Sequence, residues 1–342
     1  MILAAMAAVS MQSHNSLTLL FGGDIMLNQI PVEGKPLAAL KPVFATADVR
    51  LANLEIPLTD ANTPTQGKSA AELKARTQFI LKADPRHIDA IRGIGIQLVS
   101  LGNNHAMDYG PRGLSQMIGL LDKAALQHSG AGATLEIAKL GANYSSVSLI
   151  SALAFMGTRA IKKLTPATPS SAGIHALIFA GVLNKKNREY LKSWIAATPN
   201  DGIKVVALHW GIEKQTIPTS YQVSLARACI DAGADIVWGH HPHVLQGAEL
   251  YKGKPILYSM GNLISRKEGP TGLVRLYYVD EKLQGFRFLP LDIKAMRVSP
   301  VGEKFVKGRL ENFKKLSEAI QKRFPNKFSR PIYGWPLDVE RK

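Results

Sequence analysis

The chain is expected to fold as an α/β protein whose sheets are covered on both faces. Three observations carry that expectation. Nearly continuous apolar runs recur along the chain, segments of helical spacing fall between them, and several runs end in small or polar residues.

The runs that read as strands are Leu17 to Leu27, Val49 to Leu58, Leu98 to Asn104, Tyr144 to Ile150, Val205 to Trp210, Ile236 to Gly239 and Ile256 to Ile264. Most lack the alternation of a half-exposed strand, as strands buried on both faces do. Leu114, Met117, Ile118 and Leu121 form a helical stripe, with Pro111 near its start, where a missing N–H costs little. Val223, Ala226, Cys229 and Ile230 form another. The last third changes character. Gly272 to Val279 and Phe286 to Leu291 suggest an antiparallel pair joined around Asp280 to Gly285, followed by a basic amphipathic helix near Leu310 to Phe324. Leu164 to Ser171 is turn-rich and reads as a surface loop.

With 342 residues and 46% hydrophobic content, the chain can bury a large core without covalent staples. Its single cysteine, Cys229, excludes an intramolecular disulfide and a Cys-rich zinc site, and its place on an apolar stripe makes it a core residue. The formal net charge is +16, with Lys304, Lys307, Arg309, Lys314, Lys315, Lys322, Arg323, Lys327 and Arg330 near the end. Such charge suits an anionic partner. No zinc finger or aromatic platform points to nucleic acid. Met1 to Ser13 is uncharged, and Ile2 to Val9 resembles the apolar core of a secretory signal, with Ala8-Val9-Ser10 as a cleavage site. No Lys or Arg precedes it, so the signal is atypical or the true start lies upstream; export is the expectation.

The chemistry gathers where the runs end. Asp24 follows Gly23; Asn53 and Glu55 close the next run; Asn104 and His105 follow Gly102 and Asn103; His209 precedes Trp210; and His240, His241 and His243 follow Gly239. A hydrolytic metal site needs ligands that hold the ion while leaving positions for water and substrate. Asp24, Glu55, Asn104, His209, His241 and His243 supply oxygen and nitrogen donors without a thiolate, a mixture that suits manganese, iron, magnesium or catalytic zinc. Glu55 can bridge two ions, one oxygen to each. Side chains at i and i+2 of a strand share a face, so His241 and His243 could serve one cluster while His240 points away. Pro242 argues for a loop, which leaves the choice between His240 and His241 open. Asn53 and Asn262 are further candidates. His105 reads as a general acid whose ring Asp108, three residues on, orients and whose pKa it raises. His14, His87, His128 and His175 lack companions and read as surface or core residues. Arg76, Arg159 and Arg266 are weaker anion-binding candidates. Gly22-Gly23 matches neither a P-loop nor a dinucleotide fingerprint.

Six ordered stretches, Phe21 to Leu27, Asn53 to Thr59, Asn103 to Gly110, His209 to Glu213, Gly239 to Gln246 and Tyr258 to Asn262, resemble the motifs of the CapA family of capsule and poly-gamma-glutamate biosynthesis proteins. The resemblance covers about Leu17 to Ser265. It implies kinship with calcineurin-type metallophosphoesterases, hence a sandwich of two mixed β-sheets flanked by helices, with the metal site at strand ends. In that pattern Asp24 matches the first aspartate, Met26 stands where a histidine is usual, Glu55 replaces the bridging aspartate, Asn104-His105 match the Asn-His motif, His209 matches the isolated histidine, and His241-Pro242-His243 match the final His-x-His. The domain would span 17–295, between a candidate signal segment at 1–13 and a basic helical extension at 296–342 packed on the domain. One or two divalent ions (Mn, Fe or Zn), an anionic polymer such as poly-gamma-glutamate and membrane-bound synthase subunits are the implied cofactors and partners. A non-catalytic accessory of a polymer synthase and a general phosphoesterase of small phosphates are the alternatives.

Overall fold

Period-two burial explains the uninterrupted apolar runs, because the strands lie between two different apolar layers. The computed structural model describes residues 15–65, 67–155, 164–179, 183–198 and 202–332. The segment 1–13, His14 and Arg159 lie outside the described residues. The first sheet contains β1 (Ser16–Ile25), β2 (Val49–Leu54), β3 (Leu98–Ser100), β4 (Gln127–Ser129), β13 (Asn262–Ile264), β14 (Gly269–Val279), β15 (Lys282–Lys294) and β16 (Arg297–Pro300). Its order is β16-β15-β14-β1-β2-β3-β4, with β13 also on β1. The second contains β6 (Ala142–Tyr144), β7 (Val147–Leu153), β9 (Ile203–His209), β10 (Ile236–His240), β11 (Ala248–Tyr251), β12 (Lys254–Leu257) and β17 (Ser329–Pro331), ordered β17-β11-β12-β10-β9-β7-β6. A small pair, β5 (Ala131–Gly132) and β8 (Gly173–Ile174), stands apart.

Both sheets are mixed, and they pack face to face. Leu19 and Phe21 of β1, Leu51 of β2, Val205 and Ala207 of β9, and Ile236 and Trp238 of β10 fill the layer between them. Their alternate neighbours point outwards. Leu20 and Val99 meet the helices His87–Gly93 and Gly110–Lys123, while Val206, Leu208 and Val237 meet the helices Lys185–Ala196 and Ser220–Asp231. Phe21 and Trp238 join the sheets edge to face at 5.5 Å, and the Trp238 indole N–H donates to the Gly22 carbonyl at 3.0 Å. Truncating either ring to alanine would cost about 3–5 kcal/mol. Cys229 is buried on its stripe, and burial pushes its thiol up to about 12, so it stays unreactive.

Two runs that read as single strands are divided. Tyr144 to Ile150 is a hairpin, β6 to β7, turning at Ser145 with φ 53°. Ile256 to Ile264 leaves the second sheet after β12 and enters the first as β13. The crossing stays apolar because it runs through the core, with Tyr258 and Met260 buried. That crossing explains Gly23 and Gly239. A Cβ on Gly23 would stand 2.0 Å from the Gly261 carbonyl, and one on Gly239 would stand 2.0 Å from the Tyr258 carbonyl.

From 296 to 332 the chain stays in the fold, and 333–342 of the expected extension lies outside the described residues. β16 pairs with β15, and the helix Glu303–Arg323 follows. Phe313 of that helix stacks on Phe288 at 4.2 Å in the inter-sheet layer, Ile320 joins the outer layer of the second sheet, and β17 then pairs with β11. Buried Glu249 ties this end down: Arg227 donates to both its oxygens at 3.0 and 2.9 Å and, through Nη2, to the Phe324 carbonyl. No helix of the described residues is long and apolar enough to cross a membrane.

His175 is a buried titratable group with a purely structural role. Its Nδ1 donates to the Ser151 carbonyl at 3.2 Å, and its Nε2 pairs with the Tyr190 hydroxyl at 2.9 Å, accepting from it when the ring is neutral. Burial holds its pKa down to about 4. A depressed histidine contributes stability that is present above the unfolded pKa, near 6.5, and lost as pH falls through the folded value. The stability gap between wild type and His175→Gln is therefore expected to narrow, by up to about 3 kcal/mol, between pH 7 and 4. Urea melts of both proteins across that range check it.

Candidate metal centre

Strand register brings the polar run endings together. Asp24 on β1 lies beside Asn53 on β2 and Asn262 on β13, and Asn53 lies beside Ser100 on β3. In the other sheet His209 and His240 are register partners at the ends of β9 and β10. Since β1, β2 and β3 run parallel, as do β9 and β10, their C-terminal ends meet at one edge of the sandwich.

Two groups of donors result. Asp24, Glu55 and His209 form one; Glu55, His241 and His243 form the other, each with ligand atoms within 4.8 Å of one another. Glu55 belongs to both. It lies 3.2 Å from His209 Nε2 and 3.6 Å from His243 Nε2 through Oε1. Asp24 is held from several sides. His240 Nδ1 and Asn53 Nδ2 each donate to its Oδ1 at 2.8 Å, and the His241 backbone N–H donates to Oδ2 at 3.2 Å.

The three histidines of the His240–His243 turn do not share faces as a strand would impose. His240 closes β10 and turns towards Asp24 rather than away, because the strand delivers it beside β1. Beyond it the backbone leaves strand geometry: His241 has φ 94° and His243 φ 55°, flanking Pro242. Two side-chain-bearing residues with positive φ cost about 1–3 kcal/mol each, a strain that recurs where geometry serves a site. That turn points the His241 and His243 rings at Glu55. His243 Nδ1 donates to Asn262 Oδ1 at 2.9 Å, leaving Nε2 for the cluster.

Whether these residues fit a cation can be judged from their unmet polar atoms. Glu55 Oε1 and Oε2, Asn104 Oδ1, His209 Nδ1 and Nε2, His240 Nε2 and His241 Nδ1 are buried without a hydrogen-bond partner. Buried polar atoms seldom go unpartnered, and those of Glu55, His209 and His241 belong to the two donor groups. Burial pushes the Glu55 carboxyl well above its ordinary range, and the negative charge of Asp24 pushes it further. Asp24 goes the other way: burial would raise it, but hydrogen bonds and charge from His240 and His243 hold it well below. Burial lowers His209 strongly and His241 to about 3, so both stay neutral with free lone pairs. Burial would lower His243, but Asp24 raises it, so its proton must leave before it can ligate. The carboxylate oxygens and the neutral imidazoles of His209 and His241 around shared Glu55 fit a divalent ion of the manganese, iron or zinc kind.

His105 stands beside this cluster. Its Nδ1 meets Asp108 Oδ2 at 2.6 Å, so Asp108 does orient the ring. The expected rise in its pKa does not occur. Burial lowers it, outweighing Asp108, and neighbouring Lys68 opposes Asp108 as well. The ring rests neutral. Asn104 contributes an unpartnered Oδ1, while its carbonyl accepts from Lys68. Arg76 and Arg266 are exposed, and Arg266 is engaged with Gln29. His87 and His128 bond Ile30 and Asp122 instead.

Sequence reasoning missed three neighbours. The Phe155 ring covers His241 at 4.5 Å and His209 at 5.9 Å. Glu213, inside a motif already noted, acts by its charge on Glu55 and His243. Lys68 is buried against His105 and Asp108, and no pattern in its polar segment announces it.

The family described as "Bacterial capsule synthesis protein PGA_cap" matches residues 18–267. The chain belongs to this family. The "PGA biosynthesis protein CapA" of Bacillus subtilis is 30% identical over 310 residues, covering 86% of this chain and 76% of that protein. A Mycobacterium tuberculosis "Probable polyglutamine synthesis accessory protein" is 28% identical over 338 residues, covering 82% and 86%. A solved structure of a "novel phosphatase" from Mycoplasma pneumoniae covers 88% of this chain and 99% of that one at 13% identity and a TM-score of 0.47, too loose a likeness to assign chemistry.

The centre makes a stability statement that can be measured. A neutral glutamic acid at position 55 resembles glutamine in shape and charge, so metal-free Glu55→Gln is expected to match metal-free wild type within about 1 kcal/mol. Manganese or zinc at 1,000 times its Kd should stabilise wild type by about 4 kcal/mol, and the variant should lose most of that gain. Thermal melts with and without chelator, beside elemental analysis, read both.

Proposed function

We propose that this capsule-synthesis family member is an exported, metal-dependent hydrolase that cleaves a phosphoester or amide bond during synthesis, export or processing of an anionic polymer such as poly-gamma-glutamate. The observation that carries the reading is the pair of donor groups sharing Glu55, next to a neutral histidine held by a carboxylate. Asp24, Glu55, Asn104, His209, His241 and His243 would hold the ion or ions. A divalent ion bound there supplies a Lewis acid that polarises the scissile group and makes water nucleophilic near neutral pH.

The remaining work falls to side chains. His105 exchanges a proton at Nε2, while buried Asp108 holds Nδ1 and stabilises the charged ring when it forms. Phe155 shields the His209 and His241 rings from one side. The net charge of +16 draws a polyanion towards the protein. Membrane-bound synthase subunits are the proposed protein partners.

A second reading, a non-catalytic accessory that grips polymer carboxylates through the ion, draws on the word "accessory" in the name of the Mycobacterium relative. Turnover separates the two. Protein loaded with manganese, iron or zinc is expected to hydrolyse an aryl phosphodiester or a gamma-glutamyl amide, and His105→Asn to lose about 100-fold or more in kcat while keeping its metal. Background rates across those ions and both bond types, with metal demonstrably bound, would leave the accessory reading standing alone.

A further inference from the structure

Lys68 is a buried lysine whose contacts go beyond holding the fold. Its side chain is 3% exposed, and its ammonium donates to the Phe79 carbonyl at 2.7 Å, to the Asn104 carbonyl at 3.1 Å and to Asp108 Oδ1. Those acceptors use all three donors of a lysine. The approach of Nζ to His105 Nδ1 at 3.3 Å is therefore not a donation. Nor can Nδ1 be bare, since Asp108 Oδ2 lies 2.6 Å away and two lone pairs at that distance repel. The geometry thus puts a proton on Nδ1 and leaves Nε2 as the ring nitrogen not held by Asp108.

Asp108 is itself the hub of the surrounding loops. The Leu81 N–H donates to its Oδ2 at 2.7 Å, and the Thr65 N–H donates to its carbonyl at 2.8 Å. The excursion between those residues is thus pinned at both ends on one residue, and Lys68, which lies within it, completes the clasp. His105 lies close enough to His241 and His243 for their charges to interact.

The geometry points to Lys68 as a positioning residue: by fastening Asp108 and the Asn104 carbonyl together, it sets the His105 tautomer that leaves Nε2 bare for proton exchange at the metal centre. Three acceptors arranged around one point suit the compact ammonium of lysine and not the flat fork of arginine. The inference rests on His105 being the proton carrier proposed above, but it can fail separately.

The test is a long-range nitrogen–proton correlation spectrum of the full chain with labelled histidine, the His105 signals being identified by their loss in His105→Asn. Wild type should show the Nδ1–H, bare-Nε2 signature, and Lys68→Met should lose it, with metal content unchanged and turnover of an aryl phosphodiester down about 10–100-fold. An unchanged signature in Lys68→Met overturns the proposal. A wild type without turnover removes the hydrolase reading, while the spectra still decide the role of Lys68. If Lys68→Met does not fold, Lys68→Gln is read in the same way; if neither folds, Lys68 is a folding residue and the proposal is overturned.

Discussion

Everything at the centre depends on two sheets meeting with their strand ends at one height. The Trp238 indole bonded to the Gly22 carbonyl, with Phe21 against its ring, sets that alignment, and the close approaches at Gly23 and Gly239 allow it. Asp24 and Glu55 come from one sheet, His209 and the His240–His243 turn from the other. A side chain on either glycine would push the chain crossing away by more than an ångström, and a centre built from both sheets tolerates little such slack. The apolar layer therefore acts on the chemistry through position.

The same closeness creates an electrostatic problem. Two fully buried carboxyl groups, beside His209 and His241 that burial keeps neutral, cannot all take their ordinary charge states. The protein resolves this unevenly: Asp24 keeps its charge through donors from His240, His243 and Asn53, and Glu55 gives its charge up. The group that gives way is the one common to both donor sets. A divalent cation bound there would remove that conflict directly, since its field would favour the ionised carboxylate and the bare imidazole together.

Much of this is legible in the sequence alone, for a definite reason. Asp24, Glu55, His209 and His240 each lie at the end of a buried strand or within one residue of it, and a strand's apolar run marks its own end. Where a run's apolarity has another cause, the reading fails: Tyr258 and Met260 are buried in a crossing between sheets, and so they look like strand. The direction of His240 escapes the pattern because positive φ at His241 and His243 breaks the two-residue alternation, and no side chain there advertises such a backbone. The pKa of His105 escapes it because an adjacent carboxylate is visible in sequence and burial is not. Lys68 is invisible, since its three acceptors come from loops whose nearness is tertiary.

A basic protein with acidic groups at the bottom of its centre places two demands on an anionic ligand. Long-range attraction follows the net charge and would bring an anionic ligand to the surface. At the strand ends such a ligand would come under the field of buried Asp24, whose ionised state is favoured, and of Glu55, which would repel it if ionised. A cation and a polyanion bound together at this centre would therefore favour one another, and by linkage each would raise the affinity of the other by the same factor. Attraction from the basic surface alone would collect polyanion without directing it; coupling through Glu55 is what would make the strand ends, rather than the surface as a whole, the place where the ligand is held.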